Sequence, residues 1–187
     1  DEYFDKLEQR QWTLGYEFEH ILNDTFTFQQ NLRYGQVDTT NQYMQPFQER
    51  GSVLDRQAVG VYENMTSLST DTRLVSRFDT GSLRHTLVSG WDYALLETDL
   101  LYAMGPGPSI DRYAPDYHQP VARPNTAWAD EDGLEHRSGL YLQDQIEIDR
   151  WRLSAGLRRD KVDVRRSNHL AGSKRKDDDA ATTGSIG

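Results

Sequence analysis

Polar and apolar residues alternate along most of the chain. Between residues 11 and 20, one parity carries Trp12, Leu14, Tyr16 and Phe18, whereas the other holds only polar residues and a glycine. Successive side chains of a strand point to opposite faces, so this pattern predicts a strand with one apolar face. No stretch sustains the i, i+3, i+4 spacing of an amphipathic helix. The sequence therefore predicts an all-β protein.

The alternation recurs in about seven segments. The predicted strands cover residues 11–20, 26–34, 56–79, 83–96, 140–148, 151–157 and 182–187. Short connections (21–24, 80–82 and 149–150) alternate with long ones (38–55, 97–135 and 161–181). In an antiparallel up-and-down meander, alternate connections lie at the same end of the sheet. We therefore expect short turns on one rim and long loops on the other.

A segment of a transmembrane β-barrel explains both the alternation and the loops. In lipid every backbone amide must be paired, and the outward side chains must be apolar while the inward ones are polar. About 10 residues of a tilted strand cross the ~25 Å apolar band, so strand 56–79 is predicted to project beyond the membrane on the long-loop side. Candidates for the interfacial aromatic belts are Trp12, Tyr16, Phe26, Tyr93 and Trp151.

Composition is compatible with a barrel and excludes several other classes. Only 36% of residues are hydrophobic and the mean hydropathy is −0.82, which a barrel tolerates because only one face within the bilayer must be apolar. A net charge of −9 argues against a nucleic-acid partner. The sequence has no cysteine, and its histidines and the acidic stretch 130–133 lack metal-site spacing. We predict no catalytic residue, no metal site and no cofactor.

Three hairpins resemble those of a known family. Residues 15–34, 77–93 and 139–160 are similar to barrel hairpins of the TonB-dependent ferric-siderophore receptors, especially the ferrichrome-type receptors. The likeness runs in order from about residue 11 to the end, with gaps in the long loops. It implies that residues 1–187 are an internal piece of a larger barrel domain, whose plug domain and signal peptide lie outside the sequence.

The resemblance also implies a function. Members are receptors in the outer membrane of Gram-negative bacteria that import a ferric siderophore with energy delivered through TonB, which would act here through the missing N-terminal part. Iron would be present only as the transported complex. Outer-membrane lipid and lipopolysaccharide would surround the barrel.

Aromatic residues of the predicted long loops are candidates for siderophore binding. They are Tyr43 and Phe47 in the first loop, and Tyr102, Tyr113 and Tyr117 in the second. A bulky, partly apolar chelate needs broad ring faces and a few hydrogen bonds. Tyr43 and Tyr102 also fall near positions where ferrichrome-type receptors place ligand-facing aromatics. The alternative is that these rings pack on one another or on the barrel rim.

Two other classes remain open from the residues alone. An outer-membrane lipase or protease would carry a nucleophile and base on its barrel, but Ser89 and His85 are about 13 Å apart on an extended strand. A soluble β-sandwich or lipocalin-like binder would bury Leu87 and Trp91 against protein instead of lipid.

Overall fold

The computed structural model describes residues 3–187, which form one antiparallel sheet. Its strands are β1 (Lys6–Ile21), β2 (Phe26–Arg50), β3 (Val53–Thr80), β4 (Leu83–Pro106), β5 (Ile110–Asp111), β6 (Thr126–Ile148), β7 (Trp151–Asn168) and β8 (Ser173–Ile186). They are ordered β1-β2-β3-β4-β6-β7-β8, and the two-residue β5 pairs with β3. This confirms the all-β meander of about seven strands.

Residues 3–187 include no helix of the length and apolar character needed to traverse a bilayer.

Three of the connections are tight turns at one rim, as predicted. Between β1 and β2, the Asn23 side-chain oxygen accepts hydrogen bonds from the backbone N–H groups of Thr25 and Phe26, both at 2.9 Å. The β3–β4 turn contains Gly81 at a φ of 64°, a left-handed conformation that glycine adopts without steric cost. Asp149, with a φ of 49°, begins the two-residue turn between β6 and β7.

At the opposite rim, two predicted long connections are mostly strand. β2 and β3 continue through residues 38–55 to the tight turn at Gly51, and β7 and β8 continue through residues 161–181 to a turn at 169–172. These extensions show no sustained apolar–polar alternation, so hydrophobic periodicity did not reveal them, although their backbones are paired apart from a bulge between Pro46 and Gln48. Among residues 3–187, the connection between β4 and β6 alone keeps a long loop, at residues 107–125, which includes the two-residue β5.

The register places the apolar parity of β1, β2, β3, β4, β6 and β7 on one side of the sheet, here called the apolar face. Leu14 is paired with Tyr34, Tyr34 with Leu68, and Leu68 with Leu95. Leu14 is 70% exposed and Leu140 is 61% exposed, so no part of residues 3–187 covers this face. Trp91 is 39% exposed and Leu87 is partly exposed, so the described residues do not bury these two side chains in the way that the soluble-sandwich alternative requires.

The edge of the apolar band crosses the strands obliquely. On β1 the band ends at Trp12, followed on the same face by Arg10, and on β7 it ends at Leu157, followed by Arg159. Following Cα partners from Leu157 across the sheet leads, after five strands, to His20 on β1. His20 lies eight residues along β1 from Trp12, where the band ends. Between β7 and β1 the edge of the apolar band is therefore displaced by roughly 26 Å along the strands over roughly 24 Å across them, which is a slope of about 45°. This slope matches the tilt of strands in transmembrane barrels.

The other side of the sheet, the polar face, carries a network of charged and hydroxyl groups. Arg158 donates to both Asp92, at 2.7 Å, and Asp160, at 2.8 Å. The Tyr141 hydroxyl donates to Asp71 at 2.6 Å. The Tyr141 ring lies over Gly90, where a Cβ would come within 2.4 Å of the ring. The network stabilises a hydrophilic wall opposite the apolar face.

We expect the isolated 187-residue chain to aggregate or stay unfolded. The outer edges of β1 and β8 expose unpaired backbone groups, which cost free energy in lipid and promote association in water. Size-exclusion chromatography in detergent and a urea titration would measure this. A monodisperse species with a cooperative unfolding transition would contradict the prediction.

In the full-length protein, Gly90→Ala is expected to lower the free energy of unfolding by about 1 kcal/mol, because Tyr141 must move and lose its hydrogen bond to Asp71. Urea unfolding would measure the change. Gly184→Ala is the matched control, since its Cβ would meet no atom closer than 3.5 Å. Equal effects of the two substitutions would count against this interpretation.

Candidate functional site

Beyond the apolar band the polarity of the polar face changes. In the far halves of β2, β3 and β4, polar-face positions carry Tyr43, Val59, Tyr102 and Met104, and Val59 is completely buried. Tyr43 is the Cα partner of Val59, and Val59 that of Met104. Apolar and aromatic side chains thus lie on the face that is hydrophilic lower in the sheet.

Two of the predicted site residues, Tyr43 and Tyr102, meet on this face. Burial, together with the Tyr43 hydroxyl on the other side of β3, raises the pKa of Tyr102. The Tyr102 phenol therefore stays neutral, and the two tyrosines provide ring faces with a hydroxyl edge. Such a surface can pack against an apolar ligand and donate a hydrogen bond to it.

A third predicted residue, Phe47, lines a groove next to this pair. Phe47 lies at a bulge between Pro46 and Gln48, where the β2–β3 register shifts. The groove has a volume of about 470 Å³ and is also lined by Met104 and Trp128. Phe47 and Trp128 are 64% and 65% exposed. We call Tyr43, Phe47, Tyr102, Met104 and Trp128 the aromatic site.

Met104 and Trp128 were missed by the sequence reasoning. Both lie within the predicted connection 97–135, which the structure resolves into the ends of β4 and β6. Trp128 lies where the register shifts, since Tyr102 is paired with Ala129 but Ala103 with Ala127. The available signal was the spacing of Leu100, Tyr102 and Met104, which continues the β4 polar-face parity beyond residue 96.

Hydrogen bonds to the carboxylates of Asp55 and Asp111, together called the loop clamp, hold the first part of the 107–125 loop against the β2–β3 hairpin. The Asp55 carboxylate accepts two hydrogen bonds from Arg50, at 2.6 and 2.7 Å, and one from Ser109 at 2.6 Å. The Asp111 carboxylate accepts from Ser52 at 2.6 Å and from the backbone N–H of Tyr113 at 2.8 Å. Hydrogen bonds from Arg50 and Ser109 lower the pKa of Asp55 to about 2.

Tyr113 and Tyr117 lie in the loop and are not brought to the aromatic site. Tyr113 is 85% exposed, and among residues 3–187 neither tyrosine has a ring contact or side-chain hydrogen bond with Tyr43 or Tyr102. Farther along the loop, Arg123 lies 4.8 Å above the Tyr62 ring, on the apolar-parity side of β3. A ligand contact by either loop tyrosine stays a prediction.

His85 does not form a catalytic triad with Ser89. Its Nδ1 lies 2.7 Å from an Asp144 carboxylate oxygen on the apolar face, but Ser89 is four residues farther along β4. Across residues 3–187, no group of three acidic or histidine side chains is arranged to hold a metal ion.

Comparison with known proteins identifies the family. The family model described as "TonB dependent receptor-like, beta-barrel" matches residues 1–187. The chain belongs to this family. The sheet is therefore part of a TonB-dependent receptor barrel, unclosed over the residues described, and the resemblance seen in the hairpins is confirmed.

The curated relatives of this receptor segment include siderophore receptors. It is 32% identical over 174 residues to the ferrioxamine B receptor of Salmonella typhimurium, covering 91% of this chain and 24% of the relative. It is 30% identical over 196 residues to the ferrichrome outer membrane transporter/phage receptor of Escherichia coli K12, covering 91% and 26%. The segment thus spans about a quarter of the length of these relatives.

Solved structures share the fold at low sequence identity. The ferric preacinetobactin receptor BauA of Acinetobacter baumannii superposes with a TM-score of 0.74 at 16% identity, over 96% of this chain and 28% of that one. The unliganded ferric citrate transporter FecA superposes with a TM-score of 0.72 at 17% identity, over 95% and 24%.

The loop clamp is expected to open in acid. Because the pKa of Asp55 is lowered from its ordinary value of 3.8 to about 2, its contribution is complete above about pH 4 and is lost as the pH falls through about 2. A spin label at Ala114→Cys in the full-length receptor should become mobile only over that interval.

Asp55→Asn should mobilise the same label at pH 7, whereas Asp116→Asn, which alters a loop acid outside the clamp, should not. A label whose mobility is the same at pH 7 and pH 2 would contradict the role of the carboxylate.

Proposed function

We propose that the protein containing this segment is an outer-membrane receptor that imports a ferric siderophore, with the aromatic site forming part of the binding surface. The observation that carries the proposal is the concentration of aromatic side chains on the polar face beyond the apolar band. In a closed barrel this face lines the interior, so its far end is open to ligand from outside the cell.

The chemistry of the aromatic site suits a chelate. Ring faces and the Met104 thioether provide polarizable apolar area, while the hydroxyls of the Tyr43–Tyr102 pair supply orienting hydrogen bonds. The relatives named as ferrioxamine B and ferrichrome receptors support the same class of ligand. The iron is the cargo of the chelate rather than a resident cofactor.

The remaining partners follow from the family and the two faces. TonB would engage the full-length protein through its N-terminal part, and residues 1–187 would supply a portion of the barrel domain around a separate plug domain. Outer-membrane lipid would cover the apolar face, whose leucines are exposed. Lipopolysaccharide would contact the same face at its far edge, where Arg159 and Arg10 follow the apolar band. Transport by such a receptor involves no covalent chemistry, so we assign no enzymatic activity.

The combined substitution Tyr43→Ala and Tyr102→Ala in the full-length receptor is expected to weaken binding of its ferric siderophore about tenfold or more. Central aromatic residues at a binding surface typically contribute over ~1 kcal/mol each when truncated. Quenching of tryptophan fluorescence by the ferric chelate would measure the affinity.

Tyr34→Ala, on the apolar face, is the matched control and should leave binding unchanged. If the affinity of the Tyr43 and Tyr102 variant is unaltered, the aromatic site is not part of the binding surface. Iron-limited growth of a deletion strain on defined siderophores tests the wider proposal, and undiminished uptake of every siderophore would overturn it.

A further inference from the structure

The aromatic site lies on a wall with few charges. On the polar face over residues 37–50, 53–65 and 96–106, the ionisable side chains with a charge at neutral pH are Arg50, Asp55 and Glu63. The Arg50 guanidinium donates two hydrogen bonds, of 2.6 and 2.7 Å, to the Asp55 carboxylate. This part of the described wall therefore presents no unpaired cation.

Glu63 is the unpaired charge on that wall. Its side chain is exposed and has no hydrogen bond or ion pair among the described residues. On β3 it is the Cα partner of Leu100, and Tyr102 lies two residues farther along β4 on the same face. A free carboxylate thus stands beside the Tyr43–Tyr102 pair.

The neighbouring strands β6 and β7 do not place a positive charge next to the Tyr43–Tyr102 pair. On the polar face over residues 126–135 of β6 and 164–168 of β7, Glu131, Glu135 and Arg166 add two negative charges and one positive charge. Glu135 is ion-paired with Arg137. Glu131 accepts a hydrogen bond from Asn168 at 2.9 Å. Arg166 lies on β7, two strands and roughly 10 Å to the side of β4. The closest charge to the tyrosine pair remains a negative one.

Charge decides which ferric chelates such a wall can hold. Polyanionic ligands are bound in proteins by Arg and Lys side chains, which offer charge-assisted hydrogen bonds. An unpaired carboxylate repels an anion and attracts a cation, and aromatic faces attract cations as well. Three monoanionic bidentate groups, such as hydroxamates, neutralise iron(III), whereas three dianionic catecholates leave a trianion.

We propose that the ligand of this site is a ferric chelate of zero or positive net charge, and that Glu63 faces the positive group of a cationic one. The inference rests on the proposed function and names its substrate class. It assigns to Glu63 a role in ligand selectivity that is separate from the packing role of the rings.

The test uses the full-length receptor and three probes measured by fluorescence quenching. Ferrioxamine B carries a free ammonium group, its N-acetylated form has the same iron centre without that charge, and iron(III) enterobactin is a tricatecholate trianion. We expect both hydroxamate complexes to bind at least tenfold more tightly than the trianion. Glu63→Gln should weaken the cationic complex by up to about fivefold, the range of an exposed ion pair, and leave the acetylated complex unchanged.

Glu97→Gln is the matched control, because Glu97 is an exposed, unpaired carboxylate at similar height on the opposite face of β4. It should alter none of the affinities. Tighter binding of the trianion, or a Glu63→Gln effect that is absent or equal for both hydroxamates, overturns the charge assignment while leaving siderophore import intact. If none of the three chelates binds, the charge assignment is overturned, and iron-limited growth of the deletion strain on defined siderophores decides the proposed function separately.

Discussion

The requirement that every backbone amide be paired governs this structure. Within the sheet, each long strand is hydrogen-bonded to its neighbours over almost its whole length, from 14 residues in β8 to 28 in β3. The sheet buries few side chains, and Ala58, Val59 and Ala103 are the most completely covered of its apolar residues. Its stability must therefore come from inter-strand hydrogen bonding and from an environment that favours one face over the other. In a closed transmembrane barrel, further strands and a surrounding bilayer would supply both.

That environment accounts for the distribution of chemistry along a single strand. On β4, the apolar face carries Trp91 and Leu95 within the band, while the polar face carries Asp92 in the charged network. Beyond the band, the polar face of the same strand bears Tyr102 and Met104. One strand thus supplies a lipid contact, a hydrophilic interior wall and an aromatic surface, because its two faces meet different surroundings at different heights.

Alternation in the sequence was sufficient for the fold class, the strand order and the tight turns at 80–82 and 149–150. It could not define the extensions of β2, β7 and β8, because neither parity there is consistently apolar and pairing depends on backbone geometry. Tyr43 and Tyr102 were found as rings outside the apolar band, but the bulge that places Trp128 at the groove is a property of the register. Register shifts leave little trace in a single sequence.

The oblique edge of the apolar band alters how neighbouring residues should be compared. Residues that are Cα partners, such as His20 and Phe28, belong to different depths of the bilayer, whereas Trp12 on β1 and Leu157 on β7 occupy the same depth although no pairing connects them. Equivalent positions therefore lie along diagonals of the sheet. A polar side chain that lies outside the hydrocarbon on one strand can therefore lie inside it when it is placed at the Cα-partner position of the next strand.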